Sequence, residues 1–392
     1  MDRRNNSIIP SKKTIAYLLL TVLFFAAWAA SAADIMVVPS IGIAGAYNDN
    51  IYFSQTREVN DYTFTASPGI FANYRSGLLD FQTEIGFDIV RYLDETNQNT
   101  INQRYTGEAV YRAQEQLSFN GNISYIKDST LDSELEETGV LNRLSNRHRF
   151  DVGGGLTYNI NPVSDIDIDY SHREITYDLN EYTDHTRDSV SLAYNYTIND
   201  RADVFSITPT YEKLDSDISE TDIYGLSIGI SHAFTNTLHS LFHIGTSYSD
   251  TWHTGRSSYT GWGWTADASL EKSWTTASAS VHYMRDINYT SEGEPAERNR
   301  FSVRGDKILS NRVSIGITGS YYFTESLDET RYDMDERFFN ITPSIYYKIT
   351  ENHSLELSYE YSYAEDRNLP GDNEAVRNIV WVTFNFAFPQ KW

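Results

Sequence analysis

The sequence predicts an all-β protein, a transmembrane antiparallel up-and-down β-barrel of about 18 strands (roughly 16–18). Three observations predict it: hydropathy that alternates with period two, connections that alternate between short and long, and many aromatic rings in an acidic chain. The 392 residues include 54 acidic and 31 basic side chains, a formal net charge of −23, 29 Tyr, 19 Phe, 7 Trp and no Cys. Only residues 14–33 form a long apolar run, which excludes a polytopic helical membrane protein. The acidity excludes a nucleic-acid partner, which needs a basic face to meet phosphates. Without Cys there are no disulfides, thiol nucleophiles or Cys-based zinc sites. The aromatic content is too high for a disordered acidic chain.

Residues 1–33 read as a secretory signal peptide. Arg3, Arg4, Lys12 and Lys13 precede the apolar stretch 15–29, and Ser31, Ala32 and Ala33 supply small residues for cleavage. The alternative is an uncleaved anchor. No Cys follows that would take a lipid, and the surroundings of Arg3-Arg4 do not make a twin-arginine signal. The leader holds four basic residues and Asp2, a net of three positive charges, so the mature chain moves from −23 to −26.

From residue 34 to 392 we expect one domain, the outer-membrane barrel. Leu79, Phe81, Ile85, Phe87 and Ile89 alternate with Asp80, Gln82, Glu84, Gly86 and Asp88. Ile166, Ile168 and Tyr170 alternate with Asp165, Asp167 and Asp169, and Leu355, Leu357, Tyr359 and Tyr361 with Glu356, Ser358, Glu360 and Ser362. Successive strand residues point to opposite faces, so each run has one apolar and one polar face. The runs fall at 36–47, 61–74, 78–92, 101–113, 116–127, 147–160, 164–178, 186–198, 203–213, 222–235, 238–250, 258–271, 274–289, 299–308, 312–325, 336–349, 353–364 and 376–388, with no helix expected.

Short connections, at 74–77, 113–116, 160–163, 234–237 and 309–312, alternate with longer acidic ones at 48–60, 93–100, 128–146, 214–221, 290–298, 326–335 and 365–375. A soluble sandwich has no reason to sort loops by parity. A barrel with short periplasmic turns and long extracellular loops does. Tyr194/Tyr196, Trp262/Trp264, Tyr321/Tyr322 and Tyr346/Tyr347 sit near run ends, as interfacial girdles would. The last run places Val380, Val382, Phe384, Phe386 and Phe388 on one face. With Trp392, an apolar final strand ending on an aromatic reads as the signal for membrane insertion.

Motifs of catalytic or metal chemistry are discounted. Gly225-Leu226-Ser227-Ile228-Gly229 matches a nucleophile elbow but lies inside an unbroken alternation with no strand-to-helix turn. Gly261-Trp262-Gly263-Trp264-Thr265-Ala266 has no following helix for a dinucleotide. His239 and His243 are about 13 Å apart on a strand, too far to share a metal. The acidic segment 215–222 lacks the glycine and flanking helices of a calcium loop. It reads as a solvated loop that collects divalent cations at most. No enzyme, cofactor or metal site is expected.

If the apolar faces meet lipid, the polar faces line a lumen. Asp80, Glu84, Asp88, Asp165, Asp167, Asp169, Asp267, Glu271, Glu356 and Glu360 then join Arg104, Arg112, Arg149 and Arg304 on the inner wall. Rings of carboxylates bias a pore toward cations and neutral polar solutes. The alternative is that the acids pair with the arginines and brace the wall.

The opening segment carries a resemblance. Pro39-Ser40-Ile41-Gly42-Ile43 leads into Ala46-Tyr47-Asn48-Asp49-Asn50-Ile51, and Asp61-Tyr62-Thr63-Phe64 into Ser67-Pro68-Gly69-Ile70. Over residues 37–75 this resembles the outer-membrane β-barrel porin group associated with exopolysaccharide and exosortase (PEP-CTERM) systems. The resemblance implies a passive channel for a secreted or capsular polysaccharide, acting with periplasmic export proteins. No catalytic residue follows from it. A general diffusion porin for small polar solutes and an adhesive surface barrel are the other two readings. Expected partners are outer-membrane lipid, lipopolysaccharide and the barrel assembly machinery.

Overall fold

A computed structural model describes residues 33–137, 145–199, 203–255, 258–327, 334–367 and 373–391, so the leader and Trp392 lie outside the described residues. Eighteen strands follow one another, each 13 to 17 residues long. They are β1 (Asp34–Asn48), β2 (Asp61–Arg75), β3 (Leu79–Tyr92), β4 (Thr100–Gln114), β5 (Leu117–Ser129), β6 (Asn146–Asn161), β7 (Ser164–Tyr177), β8 (His185–Asn199) and β9 (Asp203–Ser216). The second half continues as β10 (Ser219–Thr235), β11 (Leu238–His253), β12 (Tyr259–Ser273), β13 (Ala277–Tyr289), β14 (Pro295–Ile308), β15 (Val313–Ser326), β16 (Asp335–Lys348), β17 (His353–Asp366) and β18 (Glu374–Ala387). One helix, α1 (Thr130–Glu137), follows β5, and a two-residue β19 (Gln390–Lys391) ends the described chain.

Each strand pairs antiparallel with the next, and β1 pairs with β18 from Ser40↔Ala387 to Asn48↔Ile379, which closes the sheet. In β10 the even residues Leu226, Ile228 and Ile230 are about half exposed, while Ser227 and the glycines beside it face inward. The same parity passes through the ladders. Phe242 and Ile244 on β11, Val281 on β13 and Phe301 and Val303 on β14 are all exposed on the outer face. Water would not tolerate such a continuous apolar belt, and lipid requires one. Closure also removes the sheet edges that hydrocarbon would leave unsatisfied, except along the long-loop end of the β12–β13 seam, where pairing stops at Ala266↔Arg285. This is an outer-membrane β-barrel.

Proline marks where the ladder is interrupted without a change of register. Pro68, Pro209 and Pro343 each lie where pairing to one neighbouring strand is interrupted, because proline has no N–H to donate. The Asn48-Asp49-Asn50 turn closes the seam. Asp49 accepts from the Asn378 main-chain N–H and Nδ2, both at 2.7 Å. The fully buried Asn50 donates from Nδ2 to the carbonyls of Ser54 and Val376, each at 3.0 Å.

Three expectations are corrected. The connection 128–146 holds α1, so the barrel is not helix-free. Leu131 and Leu135 stand one helical turn apart and share a face, a signal under two turns long that no amphipathic pattern extends. The connection expected at 214–221 is mostly strand, with only residues 217 and 218 between β9 and β10. Lys213 pairs with Glu220 across the hairpin and offsets its acidity. β14 begins at Pro295, four residues before the expected start, and draws the β13–β14 hairpin out to a five-residue tip.

Candidate functional site: a constricted lumen

Leu131 and Leu135 of α1 reach the far wall of the lumen. They pack with Phe53 of the first long loop, Tyr322 of β15, Phe338 of β16, Ala364 of β17 and Ala375 of β18. Both leucines are almost fully buried, and burying each contributes about 1.5–3 kcal/mol. The base of the inserted segment is tied by Thr130 N–H to the Ser145 carbonyl and by Ser145 N–H to Thr130 Oγ1, both at 2.8 Å. Arg300 lies over the Tyr322 ring at 5.2 Å and Arg377 over Phe53 at 5.1 Å, so cations edge the apolar seat.

Glu137, the last residue of α1, is the hub of an ion network. Arg147 of β6 donates to it at 2.7 Å and forks onto Asp128 at 3.2 Å through Nε and Nη2. Arg149 pairs with Glu137 and, at 2.7 Å, with Asp151, which also holds Arg173 at 2.5 Å. From the opposite wall Arg298 of β14 donates through Nη1 to the Glu137 main-chain carbonyl and pairs with Asp286 at 2.6 Å. Burial opposes the Glu137 charge, but Arg147 and then Arg149 outweigh it and hold the carboxyl at about 2. The helix therefore enters the lumen as a pinned strut.

The β13–β14 hairpin folds in beside it. Ile287 and Tyr289 pack on Leu214 of β9 and Ile223 of β10. The tip is held by Ser216 and Ser219, which donate to the Gly293 carbonyl, by Thr183 N–H to the Ser291 carbonyl, and by a buried His253–Glu294 pair at 2.8 Å. Together α1 and the hairpin narrow the long-loop end.

The inner wall is charged along its length. The register places Asp80, Glu84, Asp88, Arg104, Arg112, Arg149, Asp165, Asp167, Asp169, Asp267, Glu271, Arg304, Glu356 and Glu360 on the inner face, with Asp88, Arg104 and Arg149 toward the long-loop end and Asp80, Asp165, Asp167, Glu271 and Glu356 toward the short turns. Their surroundings differ. Asp80 pairs with Arg112 at 2.8 Å, Glu360 with Arg377 at 3.0 Å, Asp267 with His282 at 2.9 Å and Arg304 with Asp306 at 3.4 Å. Asp165 and Asp167 accept instead from Asn195 Nδ2, and Asp167 also from Thr157, all within 2.7 Å. Gly155 leaves room for the Asp169 carboxylate in its present rotamer, since a Cβ there would meet Asp169 Oδ1 at 2.1 Å. Asp88 accepts from Ser67 and Glu356 from Ser358. Some acids brace the wall and others remain as fixed negative charge.

Ser227 lies mid-strand and donates to the Thr208 carbonyl, as its alternation requires. Among the described residues, no group of three or more His, Asp or Glu is set to hold a metal. Phe384 and Phe386 lie on the outer face of β18 opposite β1, and Phe388 is half exposed just beyond it. Sequence reasoning did not find Leu131, Leu135, Glu137, Arg147 and Arg298. The available signals were the i, i+4 leucines and the shared parity of Arg147, Arg149 and Asp151.

No protein-family model and no curated protein matches the chain. Among solved structures it is similar to Pseudomonas aeruginosa OccK2 (OpdF), with a TM-score of 0.48 and 10% identity over 91% of this chain and 98% of that one. It is also similar to the outer membrane protein OprD of the same organism, with a TM-score of 0.45 and 10% identity over 91% and 94%. For Acinetobacter baumannii OccAB1 the TM-score is 0.44 and the identity 11%, over 91% and 96%.

Proposed function

We propose that this barrel is a diffusion channel of the outer membrane for small polar solutes, narrowed at its long-loop end. The observation behind this reading is α1, which reaches across the lumen and is pinned there on two sides. Eighteen strands enclose an interior too wide for side chains alone to fill. An inserted helix converts that width into a size limit. The unpaired acids Asp165 and Asp167 near the short-turn end favour cations and neutral solutes over anions. The apolar belt implies contact with lipid and lipopolysaccharide, and assembly by the barrel insertion machinery would act on the Phe384 and Phe386 face.

Purified barrel in planar bilayers should give stepwise conductance, and proteoliposomes should swell faster in a pentose than in a trisaccharide. A barrel with neither conductance nor swelling would sink the reading. Polysaccharide export keeps one supporting observation, the opening segment around Asn50 and Pro68. A strut across the lumen counts against a polymer conduit. Deletion of the gene with unchanged surface polymer would remove that alternative.

A further inference from the structure

The barrel wall has a step between β12 and β13. β11 pairs with β12 along its length, from Tyr259 to Lys272, and β14 pairs with β13 up to Tyr289. Between β12 and β13, however, pairing runs only from Ser273↔Ser278 to Ala266↔Arg285. Beyond that point Thr260–Thr265 on one side and Asp286–Tyr289 on the other have no strand partner across the step. The cause is the inward fold of the hairpin: Ile287 and Tyr289 continue the outward parity of Val281 and Tyr283, yet rest on the lumenal residues Leu214 and Ile223. Above Arg285, β13 has left the wall.

A sheet edge inside hydrocarbon is strongly disfavoured, and closure is how barrels avoid one. This edge lies at the aromatic girdle, where Tyr248 and Trp262 meet with ring centroids 5.3 Å apart and Trp262 is 76% exposed. Arg285 fills the step. Its guanidinium lies 4.6 Å over the Trp264 ring, donates to the Trp264 carbonyl at 3.3 Å and to Asn299 Oδ1 at 3.2 Å, and pairs with Glu297. Behind it is a cavity of about 320 Å³. Its lining is divided: Ile223, Met284 and Ile287 are apolar, while His243, Asp267 and Asp286 are polar.

We propose that the β12–β13 step is a lateral portal, through which a small amphipathic molecule passes between this cavity and the outer leaflet, with Arg285 as the bar across it. Fully polar solutes would follow the barrel axis. A molecule with an apolar body and one polar head matches both the divided cavity and an exit at headgroup level. The proposal rests on the channel reading for access to the lumen, and the test separates the two.

Because the chain has no Cys, Gly263→Cys with Glu297→Cys introduces a unique thiol pair. Glu297 Oε1 lies 3.3 Å from where a Cβ on Gly263 would stand, so a short bis-methanethiosulfonate, which forms a disulfide with each thiol and releases methanesulfinate, ties β14 to β12 and shuts the step. Uptake of the amphipathic dye N-phenylnaphthylamine by whole cells and arabinose-driven swelling of proteoliposomes are measured before and after bridging, and again after reductant. Bridging should slow dye uptake severalfold, reversibly, and leave swelling unchanged. Unchanged dye uptake would overturn the portal, as would equal slowing of both probes, which would mean that the bridge blocks the lumen. Arg285→Ala should raise dye uptake severalfold, and no change there would also count against it. Absence of swelling in every variant, with dye uptake still controlled by the bridge, would remove the channel reading and leave the portal standing.

Discussion

Arg298 of β14 and Glu137 of α1, 161 residues apart in the chain, are joined across the lumen by a hydrogen bond from the guanidinium to the main-chain carbonyl. The same glutamate gives its carboxylate to Arg147 and Arg149 on the other wall. One residue thus links two sides of the barrel, and the width of the passage depends on it.

Replacing Glu137 should loosen the strut. Glu137→Gln leaves Arg147 and Arg149 with less compensation in a buried site. Breaking a buried pair this way costs about 3–5 kcal/mol of local docking free energy. The expected outcome is higher, noisier single-channel conductance with no loss of the folded barrel in heat-modifiability gels. Unaltered conductance would mean that α1 does not limit flow.

The apolar seat gives an independent handle. Leu131→Ala and Leu135→Ala should each cost about 2–5 kcal/mol of α1 docking. Hydrogen exchange would then rise in residues 130–137 and not in the strands, and larger sugars should enter proteoliposomes. A uniform rise in exchange would instead indicate that the helix supports the whole wall.

The pH dependence has a defined sign. The Glu137 carboxyl is held at about 2 in the folded protein, below its ordinary value of 4.5. A depressed carboxyl contributes stability that is fully present above its unfolded value and is lost as pH falls through the folded one. Conductance should therefore stay constant through this group from neutrality to about pH 4.5 and rise as pH drops toward about 2. Glu137→Gln should abolish that acid-dependent rise.

Ion preference should follow the acids that lack an arginine. Asp165→Asn, Asp167→Asn and Asp169→Asn together should lower the cation-to-anion permeability ratio severalfold, read from reversal potentials in a salt gradient. Asp80→Asn, whose charge is already balanced by Arg112 and Arg75, should change the ratio much less. Equal effects at the two sites would contradict the division between bracing and free acids.

Asn50→Ala should weaken closure. It leaves the Val376 carbonyl without its side-chain donor, at a cost of about 1–3 kcal/mol, and the unfolding midpoint of the barrel should fall while its conductance stays the same.

The wall was legible because an apolar outer face and a polar inner face impose a strict alternation, strand after strand. That is why β7, with Asp165, Asp167 and Asp169 against Ile166 and Ile168, could be placed by inspection. The lumen contents were less legible. A single pair of leucines defines α1; of its partners, Tyr322 reads locally as a girdle aromatic but is buried in the lumen, and Phe338, Ala364 and Ala375 read as ordinary strand residues. The inward fold of the β13–β14 hairpin depends on Ile287 and Tyr289 docking against Leu214 and Ile223, a tertiary contact with no local signature. Acidic segments were also misleading: 214–221 is mostly a tight hairpin, in which Lys213, directly opposite Asp222 and paired diagonally with Glu220, relieves the repulsion that its composition suggests.

The position of α1 in the chain has a kinetic consequence. The helix follows the fifth strand, but the apolar surface it rests on belongs to the fifteenth through eighteenth, with Phe53 from the loop after the first. Such long-range contacts come late, because the chain between them must first be ordered. During assembly the helix therefore has nowhere to settle until the final hairpins are laid and the first strand has met the last. The strut is a completion mark: a barrel whose α1 is seated has already finished its wall, and a stalled intermediate would be distinguished by a solvent-exposed Leu135.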